Sequence, residues 1–321
     1  MKAIFRLLGA CVGSVLLYAA TFGFALHKPL TLGVIADLVA IKRDYAASIQ
    51  GPKLVIFAGS NARFSHRCER IAQLISVPCA NFGTGRGIGF DYLVAALKPV
   101  LHPGDVVYMP WEYDWYLDGK AQVMSGPDAP EMFYGNKREL VSLGLDRTLR
   151  ASFSFTLPFV ISAMAEMGLN AAGFHRRLGL QTLTHQGDET RHTRDKAQAY
   201  VSYVSTATAD IPSSLALSKP SYIKAMMADF FAWAQQHGVT VVGGLQTVPD
   251  DLPVTPDRIN ALRRFYEENG ESFLVLDNYS QYPRSCFYDT LAHLNEPCQI
   301  RHSTTLATAI APFFAKRLTQ N

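Results

Sequence analysis

Charge is scarce in this chain. Asp, Glu, Lys and Arg make up 18% of its 321 residues, against roughly 25% in soluble domains, while hydrophobic residues reach 48%. So little charge excludes a solvated acidic tail and a disordered polyelectrolyte. Acids are missing altogether from residues 1–28, which hold Lys2, Arg6 and Lys28. These three account for the whole formal net charge of +3, because the other residues carry 27 basic and 27 acidic side chains. The body therefore has no cationic surplus to neutralise phosphates, and no nucleic-acid partner is expected. Cysteine is sparse as well, five in all and none in a Cys-x-x-Cys pair, so the usual zinc spacings are lacking. The glycine-rich stretch Gly83 to Gly89 meets neither the dinucleotide fingerprint nor the P-loop pattern. No metal and no cofactor are expected.

What the N-terminus does have is an apolar run. Leu7 to Leu26 is twenty residues without a charge, the length that crosses a bilayer core as a helix. Lys2 and Arg6 precede it, so the positive-inside rule keeps the N-terminus in the cytoplasm and the rest of the chain outside. The expectation is a single-pass anchor over residues 1–28 in the inner (cytoplasmic) membrane, with residues 29–321 in a periplasm. A cleaved signal peptide is the rival, since Gly23-Phe24-Ala25 places small residues where a peptidase reads. A lipoprotein-like Leu8-Gly9-Ala10-Cys11 and a buried core helix also remain open. Cys68 and Cys79, and Cys286 and Cys298, form two pairs close in sequence. That suits two disulfides in an oxidising compartment, although three connectivities, or four buried thiols, are possible.

Beyond the anchor, residues 29–50 read as a juxtamembrane helix. Strands follow at Lys53 to Ala58, Val77 to Phe82, Asp105 to Pro110, Val239 to Leu245 and Ser272 to Leu276. Helices are expected at Arg63 to Ser76, Phe90 to Val100, Tyr222 to His237, Thr255 to Asn269 and Ser303 to Leu318. Strands that alternate with helices and consist of short unbroken apolar runs indicate a parallel sheet buried on both faces. The predicted fold is a three-layer α/β/α sandwich with about five parallel strands. One connection is too long for such a fold: about 113–220 holds no clear strand, where 2–6 residues are usual. It reads as a helical insertion, with an apolar stretch at Phe159 to Leu169 and a polar one at Thr182 to Lys196. It could cap an active site or serve as a decorative or partner-binding surface.

Three features carry chemistry. The first strand ends in Ala58-Gly59-Ser60-Asn61, which places the Ser60 hydroxyl at the carboxyl edge of the sheet, where ligands bind in such folds. A helix N-cap is the ordinary alternative for a serine there. The second strand runs into Asn81 and the glycines at 83, 85, 87 and 89, a backbone that can approach a substrate closely. Near the C-terminus, Asp289 precedes His293-Leu294-Asn295, an acid able to orient a base.

Together these features make the sequence resemble the SGNH hydrolase (GDSL-like) superfamily, most closely its envelope-anchored Gly-Ser-Asn variants related to polysaccharide O-acetylation proteins. The resemblance covers roughly residues 51–112 and 239–318, and not the insertion. It implies Ser60 as nucleophile, His293 as general base and then acid, and Asp289 as the residue that orients His293. It also implies an oxyanion hole from the backbone N–H groups of Ser60 and of Gly87 or Gly85. Three departures stand out, one being that Asp289 and His293 are four residues apart where three is commoner. Gly59 replaces the usual Asp before the nucleophile, and Met109-Pro110-Trp111-Glu112-Tyr113 replaces the block that normally carries an Asn.

Asn61, Trp111, Glu112 and Tyr113 are the candidate substrate-binding residues, since carboxylates and aromatics at a strand end can hold sugar rings. Trp111 and Trp115 are equally compatible with core packing. His66 and His302 have no metal-spaced partner and are expected on the surface. The functional expectation is an envelope-anchored serine O-acyl esterase or O-acyltransferase acting on acetyl esters of a cell-surface polysaccharide. A membrane acyltransferase partner would supply acyl groups for transfer. The alternatives are a non-catalytic scaffold of a polysaccharide assembly machinery and a lipid esterase.

Overall fold

The computed structural model describes residues 1–25, 33–135, 137–154, 156–174 and 180–314. Lys28 and the end of the expected last helix lie outside the described residues. Five strands form one parallel sheet: β1 (Leu54–Ile56), β2 (Cys79–Asn81), β3 (Val106–Met109), β4 (Thr240–Gly244) and β6 (Ser272–Leu274), in the order β2-β1-β3-β4-β6. Two short parallel strands, β5 (Val248–Pro249) and β7 (Gln281–Tyr282), pair beside it. Every residue of β1, β2 and β3 is buried, so both faces of the central strands are covered, as their unbroken apolar runs require. The ladders are shorter than the apolar runs. Past β1 the chain still bonds its neighbours, with Phe57 N–H donating to Tyr108 O (2.8 Å) and Ala58 O accepting from Thr84 N–H (3.3 Å).

The amino ends of β1 and β3 are pinned together by a buried ion pair. Lys53 Nζ donates to Asp105 Oδ2 (2.7 Å) with both side chains fully buried. Asp105 also accepts the N–H groups of Lys53 and His102, so its lone pairs are well used, which is the condition for tolerating such burial.

Helix α1 (Lys2–Ala25) opens the chain. Its window of 20 residues is long and apolar enough to cross a membrane, and none of it is buried in protein. Helix α2 (Val34–Ser48) follows and buries Leu38 and Val39. The expected helix from Arg63 to Ser76 is instead two: α3 (Ser60–Ser65) and α4 (Cys68–Ile75). The chain breaks at His66 because tertiary partners outbid the helix. His66 O accepts from Asn81 Nδ2 and Gln299 Nε2 (both 3.1 Å). The new N-terminus of α4 is capped by Asp188, whose carboxylate accepts from Cys68 N–H (2.8 Å) and Glu69 N–H (3.1 Å). The last helix begins earlier than expected, at Glu296–Ile310, capped by Asn295 with Pro297 in its first turn.

Both expected disulfides are present, Cys68–Cys79 and Cys286–Cys298. The first ties the start of α4 to β2, and Cys11 is free on α1. Among the described residues the long connection contains helices and no strand of the sheet; the longest helix is Leu157–Ala171. Its polar part returns to the body. Asp188 is fully buried, and Lys42 of α2 donates to Asn81 O (2.8 Å) and Gly187 O (2.6 Å). Burial drives the Lys42 ammonium down and the Asp188 carboxyl up from their ordinary pKa values.

Candidate active site

The strand order reverses between β1 and β3, and in open α/β sheets ligands bind outside the carboxyl ends of strands at such a point. Ser60 leaves β1 there. Gly59, not Ser60, is the N-cap of α3, and no side-chain cap bond is made. The ordinary capping role is therefore not what Ser60 performs, and its hydroxyl makes no hydrogen bond among the described residues.

Directly beneath lies Glu112, which follows β3. Its Oε1 accepts from Asn61 N–H (3.0 Å) and its Oε2 from Gly59 N–H (3.3 Å), the two amides on either side of Ser60. The carboxyl is buried, which pushes its pKa up to about 7 against the pull of those donors. A Cβ on Gly59 would meet Glu112 Oε1 at 2.5 Å and the Trp115 ring at 2.8 Å. That contact is why glycine stands before Ser60 in this chain: Glu112 and Trp115 fill the space an Asp would need.

Asp289 and His293 come from a closed loop. Phe287 and Leu294 form an antiparallel bridge, and Tyr288 N–H donates to His293 O (2.8 Å). The Cys286–Cys298 disulfide joins the start of this loop to the last helix. Within it His293 Nδ1–H donates to Asp289 Oδ1 (2.7 Å), since a carboxylate only accepts. That leaves Nε2 as the basic nitrogen.

Helix α3 holds the loop in place. The His293 ring stacks on Phe64, with centroids 4.2 Å apart and planes at 16°. Ala292 O accepts from Asn61 Nδ2 (3.0 Å), Ser65 Oγ (3.1 Å) and Thr247 Oγ1 (3.1 Å). Ser60 and Phe64 are four apart on α3, so they share a face with Cβ atoms about 5–6 Å apart. Phe64 thus holds the His293–Asp289 pair one helical turn from Ser60, and Ser60 and His293 form no hydrogen bond among the described residues. Such bonds are often long before substrate binds.

Asn61 is fully buried and divides its amide between Ala292 O and Thr247 Oγ1. Trp111 and Tyr113 are buried too; Trp111 packs edge-on against Phe57 at 5.1 Å. Glu112, Tyr113 and Asp114 line, with Thr290 and Ala292, a cavity of about 280 Å3, just below the roughly 300–1,000 Å3 of ligand pockets. Arg86, Gly87 and Trp115 line a second cavity of about 240 Å3. Gly87 backs onto Asp128, whose carboxylate takes the Gly87 N–H and whose own N–H donates to Gly87 O (3.2 Å). A Cβ on Gly85 would touch Ile35 of α2.

One expectation is overturned. His66 and His302 are not on the surface: both are fully buried, with their Nε2 atoms 3.2 Å apart and His302 Nδ1 3.0 Å from the Tyr282 hydroxyl. Helical breaking at His66 turns its ring inward, and the last helix presents His302 to meet it. Burial lowers the pKa of His302 to about 3 and that of His66 well below the ordinary value.

Sequence reasoning missed Phe64, Ser65 and Thr247 as the support of the histidine loop. Phe64 has a signal, its four-residue spacing from Ser60; Thr247, 186 positions from Asn61, has none. Comparison with protein-family models, with curated proteins and with solved structures finds no match.

Proposed function

We propose that the protein is an envelope-anchored serine O-acyl esterase or O-acyltransferase of SGNH type. The observation that carries the reading is the Asp289–His293 pair, stacked on Phe64 one helical turn from Ser60. In this reading His293 Nε2 accepts the Ser60 proton as Oγ attacks the ester carbonyl carbon. The proton then passes to the departing alkoxide oxygen, leaving an acyl-serine. Water or a sugar hydroxyl, deprotonated by the same nitrogen, releases the acyl group. The Ser60 N–H and the Gly85 N–H would receive the oxyanion; the Gly87 N–H, also expected there, is instead taken by the Asp128 carboxylate.

A three-layer SGNH-type sandwich suits the parallel order β2-β1-β3-β4-β6. An acetylated cell-surface polysaccharide is the proposed substrate. Transfer would require a membrane acyltransferase partner to deliver acyl groups to the periplasmic side. The two disulfides and α1 support an oxidising compartment and an anchor in the inner membrane.

One observation favours a non-catalytic scaffold instead. The Glu112 carboxylate occupies both amides flanking Ser60, and a negative charge there opposes a developing oxyanion. The test is hydrolysis of a small acetyl ester by the full-length protein, beside Ser60→Ala and His293→Ala, with labelling by a serine-reactive phosphonate. Turnover and labelling that vanish in both variants support the enzyme. A fully folded wild type with neither activity supports the scaffold, and acetyl transfer to an oligosaccharide distinguishes transferase from esterase.

A further inference from the structure

The insertion contains a helix with the wrong surface for water. Leu157–Ala171 reads LPFVISAMAEMGLNA, with Glu166 as its one charge. A helix apolar all round belongs in a protein core or in a membrane. Yet only Ala163 of this helix is buried in protein, while Leu157 is 72% and Ile161 57% exposed. Glu166 is the exception that orients it, lying close enough to Tyr134 of the protein body to interact electrostatically. The preceding helix, Gly144–Ser152, is amphipathic: exposed Leu145 and Leu149 stand beside an exposed Asp146–Arg150 pair, and Phe153 follows at 67% exposure. On its inner side that helix is fastened to the body through Arg147, which is buried, paired with Asp91 (2.7 Å) and bonded to Met124 O (2.6 Å). The apolar face is thus held outward by a rigid root.

What this face meets is indicated by its neighbour. Phe153 stacks on Tyr18 of α1, with centroids 4.9 Å apart and planes at 17°, and the Tyr18 hydroxyl donates to Ser152 O. Helix α1 also contacts Leu157–Ala171 directly. Tyr18 is seven residues from the C-terminal end of α1, or about 10 Å at 1.5 Å per residue. With Lys2 and Arg6 on the cytoplasmic side, that depth lies in the outer half of a core about 30 Å thick. A helix of 15 residues is only about 22 Å long, too short to cross.

We infer that Gly144–Ser152 and Leu157–Ala171 form a membrane-seated hairpin: Leu157–Ala171 is embedded beside α1 in the outer leaflet of the bilayer that α1 spans, and Gly144–Ser152, with its exposed Asp146–Arg150 pair, lies at the interface. The inference rests on reading α1 as an uncleaved anchor. It gives the insertion a role distinct from capping: it fixes how the body stands on the membrane. Single anchors leave a domain free to tumble on a tether. A second apolar seat next to the first holds the Ser60 corner at one height and orientation over the lipid surface.

The test uses the full-length protein in phosphatidylcholine–phosphatidylglycerol vesicles, with Cys11→Ser so that the four disulfide-bonded cysteines are the only others. An environment-sensitive fluorophore is placed on Ile161→Cys, Phe153→Cys, Leu16→Cys of α1, or Leu215→Cys, which is exposed elsewhere on the body. The expected result is that Ile161, Phe153 and Leu16 are quenched several-fold more by spin-labelled phospholipid than Leu215, and Leu215 more by iodide. Iodide quenching at Ile161 and Phe153 equal to that at Leu215, with Leu16 still quenched by lipid, overturns the hairpin alone. Loss of lipid quenching at Leu16 as well overturns the anchor reading itself. Shielding of Ile161 from both quenchers overturns the inference in favour of a protein occupant, either a second copy or a membrane partner.

Discussion

Glu112→Gln separates what this residue does for the fold from what its type suggests. The wild-type carboxyl ionises near pH 7 in the folded protein, raised from 4.5 by burial. A raised carboxyl pKa means that the folded state binds the proton more tightly than the unfolded one. The stability it contributes is fully present below about 4.5 and is lost as pH rises through about 7. Between pH 5 and pH 8 the loss integrates to roughly 2–3 kcal/mol at 1.36 kcal/mol per unit. Gln cannot ionise, so the variant escapes this loss. It can accept only one of the two amides, Gly59 or Asn61, that Glu112 now satisfies, which costs roughly 1–3 kcal/mol. The variant is therefore expected to be less stable than wild type at pH 5, with the gap closing by roughly 2–3 kcal/mol at pH 8. Every other titrating group cancels in the difference. Urea unfolding followed by tryptophan fluorescence is the assay, since Trp111 and Trp115 pack together at 4.4 Å beside this carboxylate. A gap that stays constant from pH 5 to pH 8 would refute the claim that the Glu112 carboxyl is buried against the Ser60 backbone.

The His66–His302 pair predicts the opposite slope. A depressed imidazole pKa contributes stability above about 6.5 that is lost as pH falls toward about 3. Wild type should therefore lose about 2 kcal/mol relative to His302→Asn between pH 7.5 and pH 5, read as a shrinking difference in urea midpoint. Asp105→Ala strands Lys53 in a fully buried site and should cost about 3–5 kcal/mol, seen as a large fall in melting temperature. Replacing Cys286 and Cys298 by Ser opens a loop of 12 residues, worth roughly 3 kcal/mol of unfolded-chain entropy. If the proposed chemistry is right, that variant should also lose ester turnover before it loses secondary structure, because the loop carrying Asp289 and His293 is no longer held at its base. Circular dichroism and turnover measured on the same samples decide it.

Some of this molecule was readable residue by residue. The apolar run and its flanking lysine and arginine announce α1, because spanning length and charge bias are local properties. The five strands of the sheet were placed within a few residues, since fully buried parallel strands need uninterrupted apolar runs. The two disulfides joined cysteines 11 and 12 apart, where proximity in the chain already favours closure. Ser60 fell at the end of β1 because a short apolar strand stops where Gly59 and Ser60 begin.

Other features were settled by partners far away along the chain. A helix was expected through His66, and nothing local forbids one. It breaks because Asn81 and Gln299 claim the His66 carbonyl and Asp188 claims the amides of α4. Glu112 looked like a residue for holding sugar; in the fold its two oxygens hold the backbone on either side of Ser60. The placement of His293 over Phe64 depends on bonds to Ala292 from Asn61, Ser65 and Thr247. No period or spacing reports such meetings, because a hydrogen bond is won by whichever donor the packing brings nearest. Sequence alone determined which segments are apolar and which are strands, and where along them Ser60, Asp289 and His293 stand. Only tertiary structure decided which buried polar groups would satisfy one another, and through them where the Ser60 corner stands.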